Sequence, residues 1–377
     1  MFSASQSGGE AVKEPFSCAA IIGVGMLGGS LGKALLERGL AKEVVGYDRD
    51  KNVLDKALTL GAVTQGTLSL EEAVKRSDLV ILAAPVMATL KLLPQIAPLL
   101  AAGTIVTDVC STKKNIMVEA LKVLPPTVAF VGGHPMAGSE KDGVEALDAN
   151  LFENAIYVIT SPYQDALARI KQLVQNLGAI PAEFPPDKHD ELVAAVSHLP
   201  HLAATALVNA VAGMKETSEL QLLAAGGFRD TTRIAMGSPQ MWRDICLTNG
   251  DPICVMLDKL IKELQTLRRL VAEGDGEQLY TQFAQARQFR QNIPARDKGI
   301  LPQIYNLFVY VPDHPGVIGE IAGLLGKNGI NIAEIELLRV REEKGGPLRF
   351  GFKSRENLHL AASCLAAEGY RVEMQEE

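Results

Sequence analysis

One hexapeptide constrains this chain more than any other feature. Gly23-Val24-Gly25-Met26-Leu27-Gly28 spaces three glycines as GxGxxG. An apolar run, residues 19–23, precedes it, and residues 30–38 follow with helical character and stop at Gly39. A strand that turns through glycines into a helix is the context in which backbone cradles a pyrophosphate. Gly23 permits the tight turn, Gly25 lets the backbone approach the phosphates, and Gly28 lets helix and strand pack closely. Unpaired N–H groups at the helix start face the phosphates. Gly23, Gly25, Met26, Leu27 and Gly28 are therefore the expected cofactor contacts.

A second apolar run, residues 44–48, ends in Asp48, 20 residues beyond Gly28. A carboxylate there accepts hydrogen bonds from both ribose hydroxyls and repels a 2′-phosphate, which favours NAD over NADP. Arg49 beside it blunts that preference. Further runs at 78–84, 104–109, 129–132 and 155–160 alternate with helical segments. Continuously apolar strands separated by helices predict an α/β fold, a Rossmann-type parallel sheet covered on both faces.

After Pro186 the pattern changes to helices throughout, and from residue 304 it changes again to βαββαβ, a small ferredoxin-like module. The expected organisation is a tail at 1–16, a dinucleotide-binding domain at 17–186, an all-helical substrate and dimerisation domain at 187–295, a linker at 292–302 and the small module at 303–377.

Composition narrows the partners. Thirty-seven Lys and Arg against 44 Asp and Glu leave a net charge of −7. An acidic chain lacks the clustered positive charge that nucleic acid or an anionic membrane requires. The five cysteines are scattered without a CxxC pair, which fits a reducing compartment and no metal site. Residues 1–14 have no apolar core and do not read as a signal peptide, so the expected location is the cytoplasm. Residues 192–214 hold no Asp, Glu, Lys or Arg. They are long enough to span a bilayer, but Ser197, His198, Pro200, His201, Thr205 and Asn209 argue for a helix buried inside protein.

Three clusters carry chemistry. The segment 132–140 (GGHPMAGSE) lies just after a strand, where open sheets hold ligands, so His134 is a candidate general base. Ser111, with Thr112 and Lys113 after it, follows a neighbouring strand. In 197–201 (SHLPH) two imidazoles beside a proline need polar partners if buried. In 226–234 (GGFRDTTRI) two arginines amid glycine and apolar residues suit bidentate carboxylate binding, with Trp242 nearby.

Together GVGMLGGSLG (23–32), DVCSTK (108–113), GGHPMAGSEKDG (132–143), SHLPH (197–201) and GFRDTTRIA (227–235) resemble the prephenate dehydrogenase family of tyrosine biosynthesis. The resemblance covers about residues 18–295. The C-terminal module, with VPDHPG (311–316) and NGINI (328–332), looks like an amino-acid-binding ACT domain.

The resemblance implies NAD-dependent oxidative decarboxylation of prephenate to 4-hydroxyphenylpyruvate. His134 matches the family's catalytic histidine and Ser111 its orienting partner. Arg233 matches the arginine that binds a substrate carboxylate, and His201 a second substrate position, with His198 close by. Glu140, beside Ser139, matches a residue that gates or orders the pocket. Gly226 belongs to the substrate-binding segment. Asp230 and Trp242 match positions that reach the partner subunit's site, which implies a homodimer built on the helical domain. Tyrosine is the implied effector, either bound near Asp313, His314, Gly316 and Asn331 or competing directly at the substrate pocket, since the product resembles it. The family usually shows three glycines before Phe228, whereas here Ala225 precedes Gly226 and Gly227, which predicts a slightly stiffer loop. Rival readings are an arogenate or dual-substrate dehydrogenase, another NAD-dependent hydroxyacid dehydrogenase with a lysine base, and a non-catalytic NAD and amino-acid sensor.

Overall fold

A computed structural model describes residues 15–137, 143–214, 220, 222–293, 305–312, 314–337 and 347–374. The chain forms two compact units, Met1–Ala295 and Arg296–Glu377.

The first unit is organised by an eight-stranded sheet. In chain order its strands are β1 (Phe16–Ile22), β2 (Ala41–Tyr47), β3 (Gln65–Thr67), β4 (Leu79–Leu82), β5 (Ile105–Asp108), β6 (Ala129–Pro135), β7 (Ile156–Thr160) and β8 (Ile180–Glu183). Their order across the sheet is β3-β2-β1-β4-β5-β6-β7-β8. Side chains alternate between the two faces. Ala19 and Ile21 enter one core with Leu31, Leu35, Ile170 and Val174. Ala20 and Ile22 enter a second core with Leu93, Ile96, Ile116 and Met117. Those partners lie on α1 (Met26–Glu37), α4 (Val86–Ile96), α5 (Lys114–Val123) and α6 (Gln164–Asn176), so helices cover both faces. Two shorter helices, α2 (Lys51–Thr59) and α3 (Leu70–Val74), flank the β3 edge.

The sheet is not wholly parallel. β7 pairs antiparallel with β6, and β8 follows β7 in parallel. A parallel return needs a crossover helix. Between β6 and β7 the described residues hold only one short 3-10 turn, Val144–Ala146, and no crossover helix. β6 also runs further than its apolar residues suggest. His134, expected just after the strand, lies inside its last turn-ward residues, paired across from Val158. β3 and β8 escape a hydropathy reading because each is a short edge strand.

Helices α7 (Pro186–Val193), α8 (Leu199–Ala212), α9 (Gly226–Thr232), α10 (Pro239–Thr248), α11 (Gly250–Glu273) and α12 (Gly276–Gln291) follow. α7 and α8 join through a π-helical turn, Ala194–His198. The 226–232 segment, expected as a loop, is α9, with Ala225 as its N-cap. The charge-free stretch is helical, as expected, but its own chain buries little of it. Pro186–Ala212 is one helical run of 27 residues, long and apolar enough to cross a membrane, and only 28% of its most apolar window is buried. It is therefore not a helix buried within its own chain. Val196 is 69% exposed, and Leu207, Leu247, Val255 and Ile261 are also exposed. Among the described residues the local core is small, centred on Ala194, Ile245 and Ile253.

The second unit runs β9 (Tyr305–Tyr310), α13 (Val317–Lys327), β10 (Glu334–Leu337), β11 (Pro347–Phe352), α14 (Arg355–Ala367) and β12 (Arg371–Met374). Its antiparallel sheet has the order β10-β11-β9-β12. Leu307, Val309, Ile321, Leu325, Phe350 and Leu365 form its core. This is the βαββαβ module expected from the sequence.

Candidate active site

The strand order reverses direction of travel between β1 and β4, and ligands of open α/β sheets bind at that point. The glycine loop sits there. Gly23 has φ +98°, and a Cβ on it would stand 2.8 Å from the carbonyl oxygen of Ala83. Gly25 is the N-cap of α1 and supplies no side-chain cap, which leaves the first-turn N–H groups of the helix available. A Cβ at Gly25 would meet nothing within 4 Å, so that approach is open, while one at Gly28 would fall 2.0 Å from the Gly23 carbonyl oxygen. Met26 and Leu27 are half-buried and Arg49 is exposed. Asp48 stands at the end of β2, where its Oδ2 accepts from the Val24 N–H at 3.1 Å and its Oδ1 from the Asp50 N–H at 3.1 Å. The carboxylate thus braces the glycine loop, and each oxygen keeps further acceptor capacity. An open backbone approach, an uncapped helix start and a carboxylate at the β2 end together fit a dinucleotide with free ribose hydroxyls.

Across the same end of the sheet lies a buried polar cluster. Ile22 of β1 is level with Leu82 of β4, Leu82 with Asp108 of β5, and Thr107 with Val131 of β6. His134 therefore sits about 14 Å along from the glycine loop, three strand spacings. Its Nδ1 is 2.8 Å from His189 Nε2, and His189 Nδ1 is 2.7 Å from Asp190 Oδ1. Asp190 also accepts from the N–H of Lys113 at 2.8 Å and of Lys114 at 2.9 Å, fastening α7 to the start of α5. Burial, with His189, Lys113 and His198 adding to it, holds the His134 imidazole well below its usual pKa. His134 is thus neutral near pH 7 and able to accept a proton.

Beneath it, Lys113 and Asp108 form a fully buried ion pair. Asp108 also accepts from Gly133 N at 3.1 Å and from Cys110 N at 2.9 Å, which ties β5 to β6. Burial pushes the Cys110 thiol up to about 12, so it is no nucleophile. Ser111 is half-buried in this loop. Among the described residues no hydrogen bond joins Ser111 to His134; the bond that holds the His134 ring comes from His189. Next to Ser111, Thr112 Oγ1 meets Thr248 Oγ1 at 3.0 Å, docking the loop on α10.

The π turn aims the other two histidines. His198 Nδ1 lies 3.1 Å from Asn249 Nδ2, and that amide also donates to the Asp190 carbonyl at 2.9 Å. Burial pushes the His198 pKa down to about 4, against an opposing pull from Asp190. His201, lowered by burial, stacks on Trp242 of its own chain. Arg233 opens the 3-10 turn Arg233–Met236 after α9, and Gly226 and Asp230 lie exposed on α9. Ser139, Glu140 and Asp313 lie outside the described residues. In the second unit His314, Gly316 and Asn331 are exposed, and Gly316, φ +97°, is the N-cap of α13.

Sequence reasoning passed over His189, Asp190 and Asn249. His189 and Asp190 sit in PDKHDEL, which reads as a solvated helix start. The one available signal was a histidine and an aspartate side by side just before a charge-free stretch.

A dinucleotide loop at the switch point, with a neutral buried histidine along the same sheet edge, defines a nucleotide-dependent dehydrogenase joined to a helical domain. Family models match along the chain: prephenate dehydrogenase, nucleotide-binding domain, over residues 31–182; prephenate dehydrogenase, dimerization domain, over 185–285; and ACT domain over 305–360. The chain belongs to the prephenate dehydrogenase family, and it is an NAD-dependent oxidoreductase with an ACT domain. It is similar to a prephenate dehydrogenase of Bacillus subtilis, 39% identical over 92% of this chain and 95% of that protein. A cyclohexadienyl dehydrogenase of Zymomonas mobilis is 33% identical over 73% of this chain and 95% of that protein. Among solved structures, a prephenate dehydrogenase of Aquifex aeolicus in complex with hydroxyphenyl propionate and NAD+ aligns with a TM-score of 0.69. It is 32% identical and covers 74% of this chain and 98% of that one.

Proposed function

We propose that this protein catalyses the oxidative decarboxylation of prephenate to 4-hydroxyphenylpyruvate. The observation that carries the reading is a buried, neutral His134 on the sheet edge that also holds the dinucleotide loop. Bound NAD supplies the hydride acceptor. The loop from Gly23 to Gly28 holds its pyrophosphate and Asp48 its ribose, with Arg49 at the rim. His134 takes the proton of the ring hydroxyl as the carbon–oxygen bond becomes a carbonyl. When carbon dioxide leaves and the ring becomes aromatic, His134 returns that proton to the phenolic oxygen. Protons therefore balance over one turnover. Ser111 orients the reacting hydroxyl.

Arg233 binds one substrate carboxylate, with His201, His198 and Gly226 lining the same site. Glu140, beside Ser139, has the role of gating or ordering the pocket, and Asp230 and Trp242 complete the site at a homodimer interface. Exposed apolar residues on the helical layer, Val196, Leu207 and Leu247 among them, support a dimer through this domain. The domain limits that fit are 17–186, 187–295 and 303–377, and the location that fits is the cytoplasm. Tyrosine restrains the enzyme through the 303–377 module; its likeness to the product would instead favour direct competition at the substrate pocket.

Initial rates with prephenate and with arogenate, each with NAD+ and NADP+, test this directly. The expected result is reduced cofactor from prephenate and NAD+ at the highest kcat/KM. Equal rates with arogenate would make it a cyclohexadienyl dehydrogenase, and no reduction in any of the four mixtures would overturn the reading. Unchanged tyrosine inhibition after deletion of residues 300–377 would remove the regulatory part.

A further inference from the structure

Resting on His134 as the base, we infer that His189 and Asp190 are positioning residues for the reaction: a buried relay, Asp190–His189–His134, fixes which ring nitrogen of His134 faces the substrate. A carboxylate can only accept, so His189 presents N–H at Nδ1 to Asp190 Oδ1, 2.7 Å away. With one ring proton, at Nδ1, His189 has a lone pair at Nε2. Only an N–H at His134 Nδ1 can satisfy it across 2.8 Å. His134 is left with its lone pair at Nε2, the nitrogen turned away from the relay, and that is the form a base requires.

The relay is anchored at its far end. The Asp190 carboxylate also takes the N–H groups of Lys113 and Lys114, and the Asp190 carbonyl takes the amide of Asn249. His189 and Asp190 are both essentially inaccessible to solvent. The two imidazoles meet edge to face, with planes at 76° and centroids 5.0 Å apart, so neither ring turns without breaking the pair.

The charge that develops on His134 during turnover is met from several sides. The ring hydroxyl passes its proton to His134 Nε2, and the electron pair of that O–H bond becomes part of the new carbonyl as hydride departs. The imidazolium so formed donates through Nδ1 to His189, which is backed by Asp190. The other groups around His134 are His198 from the π turn and Lys113, which is neutralised by Asp108 of β5; the Tyr157 hydroxyl of β7 packs at the neighbouring Gly133. His198 and Lys113 oppose a positive His134, so the Asp190 carboxylate is the favourable partner.

Three variants and one spectrum test the relay. His189→Leu fills the space but cannot accept a hydrogen bond. His189→Gln can accept through its side-chain carbonyl. His134→Asn tests the base itself. The expected result for His189→Leu is a kcat lower by about 10- to 100-fold, within the roughly 10²–10⁴-fold that a positioned base supplies. KM should stay within about twofold, and the acid limb of the kcat–pH profile should move to lower pH, since the imidazolium loses its acceptor. His189→Gln should recover most of the rate. Nitrogen-15 spectra of histidine-labelled wild-type protein should show His134 as the Nδ1–H tautomer, a readout that survives even if His189→Leu fails to fold. Wild-type kcat and pH profile in His189→Leu, with His134→Asn inactive, would overturn the relay and spare the base. An Nε2–H tautomer for His134 in the wild-type protein would overturn the relay as well. Full turnover in His134→Asn would instead overturn the base reading on which the relay rests.

Discussion

His201 lies flat on Trp242, with ring centroids 3.5 Å apart and planes inclined by 11°. The two residues are on different helices, and Gly237 between them makes the stack possible. A Cβ at Gly237 would stand 2.7 Å from Trp242 Nε1 and 3.2 Å from His201 Cε1. An aromatic pair of this kind contributes about 0.5–1.5 kcal/mol beyond the area it buries. Gly237→Ala should displace the indole and free the imidazole. The expected outcome is a KM for the substrate raised about three- to tenfold with kcat within about twofold, read from initial rates. An unchanged KM would detach His201 from substrate binding.

Two glycines should respond oppositely to the same added methyl. At Gly133 a Cβ would lie 2.4 Å from the Asp108 carbonyl oxygen and 3.0 Å from the Tyr157 ring. The first contact sets the new methyl against a backbone carbonyl that no rotamer change can move, so Gly133→Ala should destabilise the protein by about 3 kcal/mol or more. Gly25→Ala meets no protein atom within 4 Å. It should leave the thermal midpoint within about 2 °C while weakening NAD+ binding at least about tenfold, because the methyl occupies the space of the phosphates. Thermal melts and a cofactor titration separate the two effects.

His198 makes stability depend on pH. Burial holds its pKa at about 4 in the folded protein, against about 6.5 in an unfolded chain. Below pH 6.5 the unfolded chain takes up the proton and the folded one does not. Stability should therefore fall as pH drops from about 6.5 to about 4, by about 3 kcal/mol from this residue. His134 acts in the same direction. Denaturant midpoints at pH 7.5, 6 and 5 check the slope, and His198→Gln should flatten it. A protein that gains stability toward pH 5 would contradict this account.

The Lys113–Asp108 pair should be costly to halve. Both side chains are fully buried, so Asp108→Asn strands an ammonium group without its counter-charge. The expected loss is about 3–5 kcal/mol. The double variant Asp108→Asn with Lys113→Met should be more stable than Asp108→Asn alone, because no charge then remains buried. Urea midpoints of the three proteins decide it.

Asp48 tests cofactor choice. It accepts the Val24 N–H, and an asparagine oxygen can keep that bond while losing the charge and the exposed bond from the Asp50 N–H. Asp48→Asn should lower the NADP+ KM by about tenfold or more and leave the fold intact. If NADP+ discrimination persisted, its source would lie elsewhere than the carboxylate.

The glycine loop, the alternating sheet and the C-terminal module were legible in the sequence because each is encoded locally. GxGxxG is one turn between one strand and one helix, and the βαββαβ periodicity repeats within a short segment. His134 was legible for the same reason, since a histidine among glycines at a strand end reads as a site. The direction of β7 was not, because a strand's apolar pattern is the same either way along the chain. Nor was the exposure of Val196 and its neighbours, since hydropathy reports what prefers burial and not whether a second layer exists to bury it.

The sequence by itself determined that a dinucleotide loop, a candidate histidine base and a βαββαβ module share one chain. Only the tertiary structure decided what stands behind the base. His134 and His189 are 55 residues apart, and the helix that carries His189 and Asp190 must pack across the start of α5 before the three groups meet. Contacts between distant segments depend on how whole elements dock, and no local pattern of residues records that. The same docking brings Asn249 to His198 and Trp242 to His201, so the glycine loop is a property of a hexapeptide while the relay is a property of the fold.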